Sequence, residues 1–448
     1  MTMRLAGRRA LVVGLGKSGV AAARLLATYG ARVAVADDKG EGELGDSLRQ
    51  LDGVPHEQHL GGLRQDAFRE RDLVVVSPGV PLSAPPIAEA RSRGVEVIGE
   101  VELAARFIEE PIAGITGTNG KSTTTALTAH LLRAAGKKVF AGGNLGDALS
   151  NRVLSGGKLD ATVCELSSYQ LEGIVSLRCA AAAALNVTPD HLDRYPSLEA
   201  YAAAKERIFA NQKAGDAAVL NLADPRVAAM RTPEGVRRRG FDPRGRNAEA
   251  AGFLRAKSVL AVDGAEYDLR APTLRGAHNA ENALAALLLA RHLGAPPWAL
   301  QQGLDTYPGL PHRLEPVRTL DGVEWVNDSK GTNVDSVEKS LSAFDGGVLL
   351  IMGGRGKGAP YRPLRALFPG RVRALLTIGE DALRIAEELG DLAPVTACGD
   401  LRTAVAQARK LARAGDAVLL SPACASYDQF RNFEDRGEQF KALVRGLS

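Results

Sequence analysis

An apolar run, Ile112 to Ile115, leads into Gly117-Thr-Asn-Gly120-Lys121-Ser122, which passes at once into Thr123-Thr-Thr-Ala-Leu-Thr-Ala-His-Leu-Leu. The order reads as strand, glycine-rich loop, helix, and no other feature narrows the possible folds as much. At such a junction backbone N–H groups point at an anion from the helix N-terminus. The lysine ammonium reaches the β- and γ-phosphates, and the next hydroxyl can ligate Mg2+. The spacing varies the usual phosphate loop, with Gly114 one residue too far from Gly120-Lys121 and Gly117 too near. Gly117, Thr118, Asn119, Gly120, Lys121, Ser122 and Thr123 are therefore the expected ATP contacts. A glycine-rich turn without phosphate is the alternative, and the flanking elements and the Lys-Ser pair weigh against it.

Apolar strand-like runs alternate with alanine- and leucine-rich helical stretches along all 448 residues, the pattern of α/β domains with mainly parallel sheets. Ala10-Leu-Val-Val, Arg32-Val-Ala-Val-Ala and Asp72-Leu-Val-Val-Val form a Rossmann-like unit, followed by a helix expected over Glu100 to Glu109. Ile112 opens a second block. The proline- and glycine-rich Tyr307-Pro-Gly-Leu-Pro311 reads as a linker to a third, with strands at Val323 to Val326, Val348 to Met352, Ala374 to Ile378 and Ala417 to Leu420. The expectation is three α/β domains: N-terminal Rossmann-like over 1–103, central P-loop ATPase-like over 104–308, and C-terminal Rossmann-like over 309–448.

Composition narrows the partners. The hydrophobic fraction of 45% and charged fraction of 24% are those of an ordinary globular chain, and Lys+Arg 56 against Asp+Glu 52 leaves a dispersed formal charge of +4. Aromatic residues at 5% offer few platforms for stacking bases, so nucleic acid is not an expected partner, whereas a small polyanion suits the slight positive excess. Cys164, Cys179, Cys398 and Cys424 form no C-x-x-C pair, which argues against a zinc cage and fits a reducing cytoplasm. No apolar run approaches the roughly 18 residues of a membrane span. Gly14, Gly16 and Lys17 cut short the signal-like start at Arg4, Arg8 and Arg9. A soluble, cytoplasmic monomer is expected.

Gly14-x-Gly16-x-x-Gly19 follows Leu11-Val-Val, and Asp37 stands about twenty residues on, which taken alone fits a nicotinamide dinucleotide site. Further motifs change that reading. Glu165-Leu-Ser-Ser-Tyr-Gln170, Asn186-Val-Thr-Pro-Asp-His191-Leu-Asp193 and Tyr201-Ala-Ala-Ala-Lys205 follow the phosphate loop. His278-Asn279-Ala-Glu-Asn282, Leu310-Pro-His-Arg313, Asn327-Asp328-Ser-Lys330 and Ser421-Pro-Ala-Cys-Ala-Ser426 come after them. Together with Gly117-Thr-Asn-Gly-Lys-Ser-Thr-Thr, this series resembles the Mur ligase superfamily, which includes folylpolyglutamate synthetase and joins amino acids to carboxylates. The resemblance covers the whole chain. Gly14-Leu-Gly-Lys-Ser-Gly19 with Asp37-Asp38 and Ser77-Pro-Gly79, and the stretch Ser421 to Gly437, are most similar to the branch that adds D-glutamate to UDP-N-acetylmuramoyl-L-alanine in peptidoglycan precursor synthesis. Tyr169 and Arg355 depart from the Phe and Asp expected there, without removing a ligand oxygen.

The resemblance implies an ATP-dependent ligase working through an acyl phosphate, with Lys121, His191 and Lys205 as catalytic residues. It implies two Mg2+ ions, the first at Ser122 and Glu165 and the second at His191 and at Lys205 carrying CO2 as a carbamate. The first glycine loop then meets a UDP diphosphate, with Leu15, Gly16, Lys17 and Ser18 beside it, Asp38 and Lys39 at the uridine, and Ser77 and Gly79 in the same site. Asn144, Ser167 and Gln170 match positions that hold the muramoyl-alanine, while Asn279, Asn282, Arg313 and Asp328 match the ATP side. Lys330, Thr332, Lys357, Ser426 and Phe433 match the surface that receives D-glutamate. By residue type alone, His191 would be a hydrogen-bonded structural histidine, Lys205 a solvated helix position, Glu165 a capping carboxylate, and the asparagines turn residues.

Two other classes make different demands. An ATPase or GTPase driving a partner would release phosphate with no amino acid present. A nicotinamide-dependent oxidoreductase would bind NAD(H) saturably.

Overall fold

The computed structural model describes residues 3–144, 146–190, 194–256 and 258–448. Two compact units divide them. The larger extends to Asp268 and adds Glu281–Leu304, and the smaller comprises Leu269–Ala280 and Asp305–Ser448.

The larger unit holds two sheets. The first has β1 (Arg9–Val13), β2 (Arg32–Asp37), β3 (His56–Leu60), β4 (Leu73–Val76) and β5 (Glu96–Gly99), parallel, in the order β3-β2-β1-β4-β5. Strands covered on both faces must be apolar throughout, which is why Leu73-Val-Val-Val is wholly buried while the edge strand His56-Glu-Gln-His-Leu stays polar. The helix Lys17–Thr28 buries Val20, Ala22, Leu25 and Leu26 in a core shared with Val12 and Val35. A second helix, Glu100–Ala105, ends four residues before the expected Glu109, where the chain turns to set Phe107 against Tyr29 with ring centroids 4.4 Å apart.

The second sheet contains β6 (Ile112–Thr116), β7 (Val139–Gly143), β8 (Ala161–Glu165), β9 (Ala181–Ala184), β10 (Ala217–Asn221), β11 (Arg237–Asp242), β12 (Gly252–Ala256), β13 (Val259–Val262) and β14 (Ala265–Asp268). Their order is β14-β13-β12-β11-β10-β9-β6-β8-β7, parallel except for the antiparallel β12-β13-β14 end. Because β6 lies between β8 and β9, the loop leaving it emerges at a crevice bounded by the ends of both neighbours, where open α/β sheets take ligands. Glu102 joins this sheet's surroundings to the first. Its buried carboxylate accepts bonds from the Val175 and Leu177 N–H groups at 2.9 Å and from the Ser176 hydroxyl at 2.6 Å. Burial alone would raise its pKa, but the Ser176, Val175, Arg106 and Leu177 donors outweigh that and hold it below the usual range.

In the smaller unit, β15 (Glu315–Leu320) and β16 (Val323–Asn327) form a hairpin on the edge of an otherwise parallel sheet. With β17 (Val348–Gly353), β18 (Val372–Ile378), β19 (Val395–Gly399) and β20 (Ala417–Leu420) the order is β15-β16-β20-β17-β18-β19. The loops after β16, β20 and β17 therefore stand side by side at the strands' carboxyl ends.

Candidate active site

The phosphate loop is held open from the neighbouring strand. Asn186, just past β9, accepts from the Asn119 N–H through its side chain at 2.8 Å and from the Thr118 N–H through its carbonyl at 2.9 Å. Gly120, at φ +84°, caps the helix Lys121–Ala134 with no side-chain acceptor on its first amides, an arrangement suited to an incoming anion. A side chain at Gly120 would overlap Asn282, whose Oδ1 lies 3.3 Å from the Thr124 hydroxyl. Lys121 Nζ donates to the carbonyls of Gly117 (2.9 Å) and Thr118 (2.8 Å).

Lys205 Nζ donates to the same Gly117 carbonyl at 2.8 Å, from a side chain only 1% exposed and 4.3 Å from the Tyr201 ring centroid. Sequence pattern put this lysine on a helix, and the structure places it there, in Leu198–Glu206, but facing inward. Burial first, and the neighbouring Lys121 charge second, push its pKa down to about 7, against the pull of Asp190 and Glu165. Glu165 ends β8 at 2% exposure; its Oε1 accepts from Asn144 Nδ2 at 2.6 Å while Oε2 is buried without a hydrogen-bond partner. An orphaned carboxylate oxygen at the end of the strand paired with β6, which leads into the phosphate loop, fits a hard, oxygen-seeking cation. Among the described residues no three His, Cys, Asp or Glu side chains form a metal cage, so such an ion would complete its shell from phosphate and water oxygens. His191 lies outside the described residues. Ser167 and Gln170 build a reciprocal cap on the helix Ser168–Glu172, which fixes both side chains within the segment after β8.

At the first sheet, Gly16 caps Lys17–Thr28 and again leaves the N-terminal amides without a side-chain cap. The Leu15 N–H is already bonded to Asp37 Oδ2 at 2.7 Å, as that of Gly14 is to the Ala36 carbonyl at 2.8 Å. The Asp37 carboxylate also takes the Lys39 N–H at 3.0 Å, and Asp38 takes that of Leu63 at 3.1 Å. The acid that would hold a nicotinamide nucleotide's ribose is thus bonded to backbone amides. Ser77 Oγ donates to the Gly14 carbonyl at 2.7 Å, tying the loop after β4, which includes Gly79, to the loop after β1. A side chain at Gly19 would overlap that same carbonyl.

In the smaller unit Lys330 Nζ lies 5.4 Å from the Phe433 ring centroid, and Lys357 Nζ 3.5 Å from the Thr332 hydroxyl. Ser426 is buried. Asp328 is buried too, with the Ser340 and Ser421 hydroxyls on one oxygen (2.6 and 2.7 Å) and the Leu314 N–H on the other; burial lifts its pKa to about 6 despite these donors. Asn279 Nδ2 donates to the Arg275 carbonyl at 3.0 Å, and Arg313 keeps a buried Nε without a hydrogen-bond partner.

Three family models match in chain order: the Mur ligase MurD-like N-terminal domain over residues 8–99, the Mur ligase middle domain over 115–290, and the Mur ligase glutamate ligase domain over 312–424. The chain belongs to the Mur ligase family. Curated relatives named UDP-N-acetylmuramoylalanine–D-glutamate ligase include one from Myxococcus xanthus, 54% identical over the full length of both chains, and one from Anaeromyxobacter dehalogenans, 56% identical over 98% of each. Among solved structures, MurF of Acinetobacter baumannii shares the fold at TM-score 0.63 and 17% identity, covering 92% of this chain and 91% of its own. The UDP-N-acetylmuramate-alanine ligase of Thermotoga maritima does so at 0.60 and 20%, covering 98% and 99%.

Two positions set this Mur ligase apart from the pattern expected for its branch. Tyr169 stacks on Tyr195 with centroids 6.0 Å apart and lies under the Arg194 guanidinium at 4.1 Å. Arg355 is about half exposed and pairs with Glu380 at 3.0 Å. Among the described residues it is tied to the site through backbone bonds to Ala425, which any residue keeps. Arg355→Asp is therefore expected to change steady-state kinetics only modestly, and a loss of a hundredfold or more would contradict this placement. Sequence reasoning passed over Asn186 as a site residue, although it stood in a quoted motif at the end of an apolar run. It also passed over Arg436, which is fully buried and bonds the carbonyls of Ser329 and Cys424. Nothing local in the sequence marks that arginine as interior.

Proposed function

We propose that this chain is an ATP-dependent ligase that adds D-glutamate to UDP-N-acetylmuramoyl-L-alanine through an acyl phosphate, in the cytoplasm. The observation that carries the reading is the convergence of Lys121, Lys205 and Glu165 on one phosphate loop. A carboxylate is a poor electrophile, so an amide-forming enzyme activates it by phosphorylation and keeps water away. Lys121 turns from the loop carbonyls to the transferred phosphoryl and offsets its charge. Glu165 and Ser122 would hold Mg2+, which supplies further neutralisation of the phosphates. Lys205 is buried and readily neutral, which suits capture of CO2 as a carbamate, and with His191 it would serve a second ion. The amides of Gly16, Lys17 and Ser18 receive the diphosphate of the UDP-sugar, with Asp38, Lys39, Ser77 and Gly79 around it and Asn144, Ser167 and Gln170 on the muramoyl-alanine. Asn279, Asn282, Arg313 and Asp328 serve the ATP side.

Lys330, Thr332, Lys357, Ser426 and Phe433 receive D-glutamate, whose two carboxylates suit ammonium and hydroxyl donors. The division of labour follows residues 1–103, 104–308 and 309–448, in a monomer. Among the described residues no helix is long and apolar enough to cross a membrane. The test is ATP-dependent phosphate release with UDP-N-acetylmuramoyl-L-alanine across a panel of amino acids. Release that requires both the nucleotide substrate and D-glutamate is expected. Full release with no amino acid would favour an ATPase driving a partner.

A further inference from the structure

The loops that would receive the amino acid are fastened to one another by backbone bonds. Gly353 N–H donates to the Pro422 carbonyl at 2.9 Å, Arg355 and Ala425 exchange a pair of bonds at 2.9 and 3.0 Å, and Ala423 N–H donates to the Gly331 carbonyl at 2.8 Å. Ala423 sits at φ +61°, a left-handed conformation that an L-residue with a β-carbon adopts only when its surroundings enforce it.

Next to it, Cys424 places Sγ 3.0 Å from the hydroxyl of Tyr361, a side chain 2% exposed, and that hydroxyl lies 2.7 Å from Asp381 Oδ2. Burial first, and these neighbours after it, push the phenol's pKa up, so it keeps its single proton and donates it to the Asp381 carboxylate. The thiol, pushed up to about 11 chiefly by burial, keeps its proton and donates to the phenolic oxygen. The bonds thus run in one direction, Cys424 to Tyr361 to Asp381. Asp381 in turn donates its N–H to the Gly354 carbonyl at 3.0 Å, and Gly356 packs so closely on its carboxylate that a side chain there would overlap it. Gly354 and Gly356 bracket Arg355 immediately before Lys357, and Cys424 precedes Ser426 by two residues.

We propose that Tyr361 is a positioning residue for the acceptor amino acid, its buried hydroxyl setting the spacing between the loop that carries Lys357 and the loop that carries Ser426. The inference rests on the assignment of D-glutamate to this surface. Tyr361 would act through these loops and not by contact with the amino acid.

Tyr361→Phe keeps the ring and removes the two bonds. The expected result is a rise of about tenfold in KM for D-glutamate, with kcat within about threefold and the KM values for ATP and the UDP-sugar within about twofold. Cys424→Ala, which lacks a donor, should shift KM for D-glutamate in the same direction, and Cys424→Ser, which keeps one, should stay near wild type. An unchanged KM for D-glutamate in Tyr361→Phe overturns the proposal. So does an equal deterioration of every parameter, which would mark a general loss of folded enzyme. Lys357→Ala separates the proposal from its foundation. If that variant leaves KM for D-glutamate unchanged, the placement of D-glutamate falls and the proposal with it; if it raises KM while Tyr361→Phe does not, only the proposal falls.

Discussion

Lys205→Ala is expected to be nearly inactive, and acetate at high concentration is expected to restore part of the lost rate where methylamine does not. The lysine's amine lies against the Gly117 carbonyl beside a second ammonium, Lys121, in a setting that brings its pKa to about 7. A permanent cation there repeats a charge already present. The free amine, favoured above about pH 7, can form an N–C bond to CO2 and release one N–H proton to solvent, and the resulting carbamate anion would relieve the conflict and offer oxygen ligands. The sign follows: acidification below 7 protonates the amine and should make activity increasingly dependent on added bicarbonate. A small acid can stand in for a carbamate in the emptied space, whereas a small amine can stand in only for an ammonium. Rescue by methylamine with none by acetate would overturn the carbamate and the second metal site that depends on it.

Lys121→Ala should lower phosphate release by at least about a hundredfold while leaving the thermal midpoint almost unchanged. Lys121 is partly exposed and bonds the Gly117 and Thr118 carbonyls of its own loop, so its truncation opens no hole in the core. In the proposed reaction the same ammonium would meet the negative charge developing on the transferred phosphoryl, where it is worth far more than in its loop contacts. Loss of its like charge should also let the Lys205 pKa rise. Turnover near that of the wild type would show that another group neutralises the phosphoryl.

The strands at the centres of the sheets were legible because burial on both faces demands unbroken apolar runs, as in Leu73-Val-Val-Val and Val348-Leu-Leu-Ile-Met. His56–Leu60 was not, since an edge strand can be polar and still pair through its backbone with β2. Ala181–Ala184 is four alanines, strong helix formers, held extended by β6 on one side and β10 on the other; tertiary pairing overrides local preference there. At the site, the phosphate loop announced itself because glycine, lysine and hydroxyl must fall in a fixed order. The inward turn of Lys205, the orphaned oxygen of Glu165 and the engagement of Asp37 with Leu15 depend on contacts between distant segments, which no local pattern encodes.

Glu102 has a consequence for how such chains can be recombined. Its partners at positions 175 and 177 are backbone N–H groups, which every residue but proline possesses. The attachment is therefore indifferent to most side chains on the receiving segment, and only the Ser176 hydroxyl adds a sequence-specific bond. Chimaeras that graft the first hundred or so residues of one relative onto the remainder of another should stay docked as long as the grafted piece carries the glutamate. A crossover placed after that residue, with a donor lacking an acid at the position, would leave a row of buried amides without their acceptor and should yield insoluble protein.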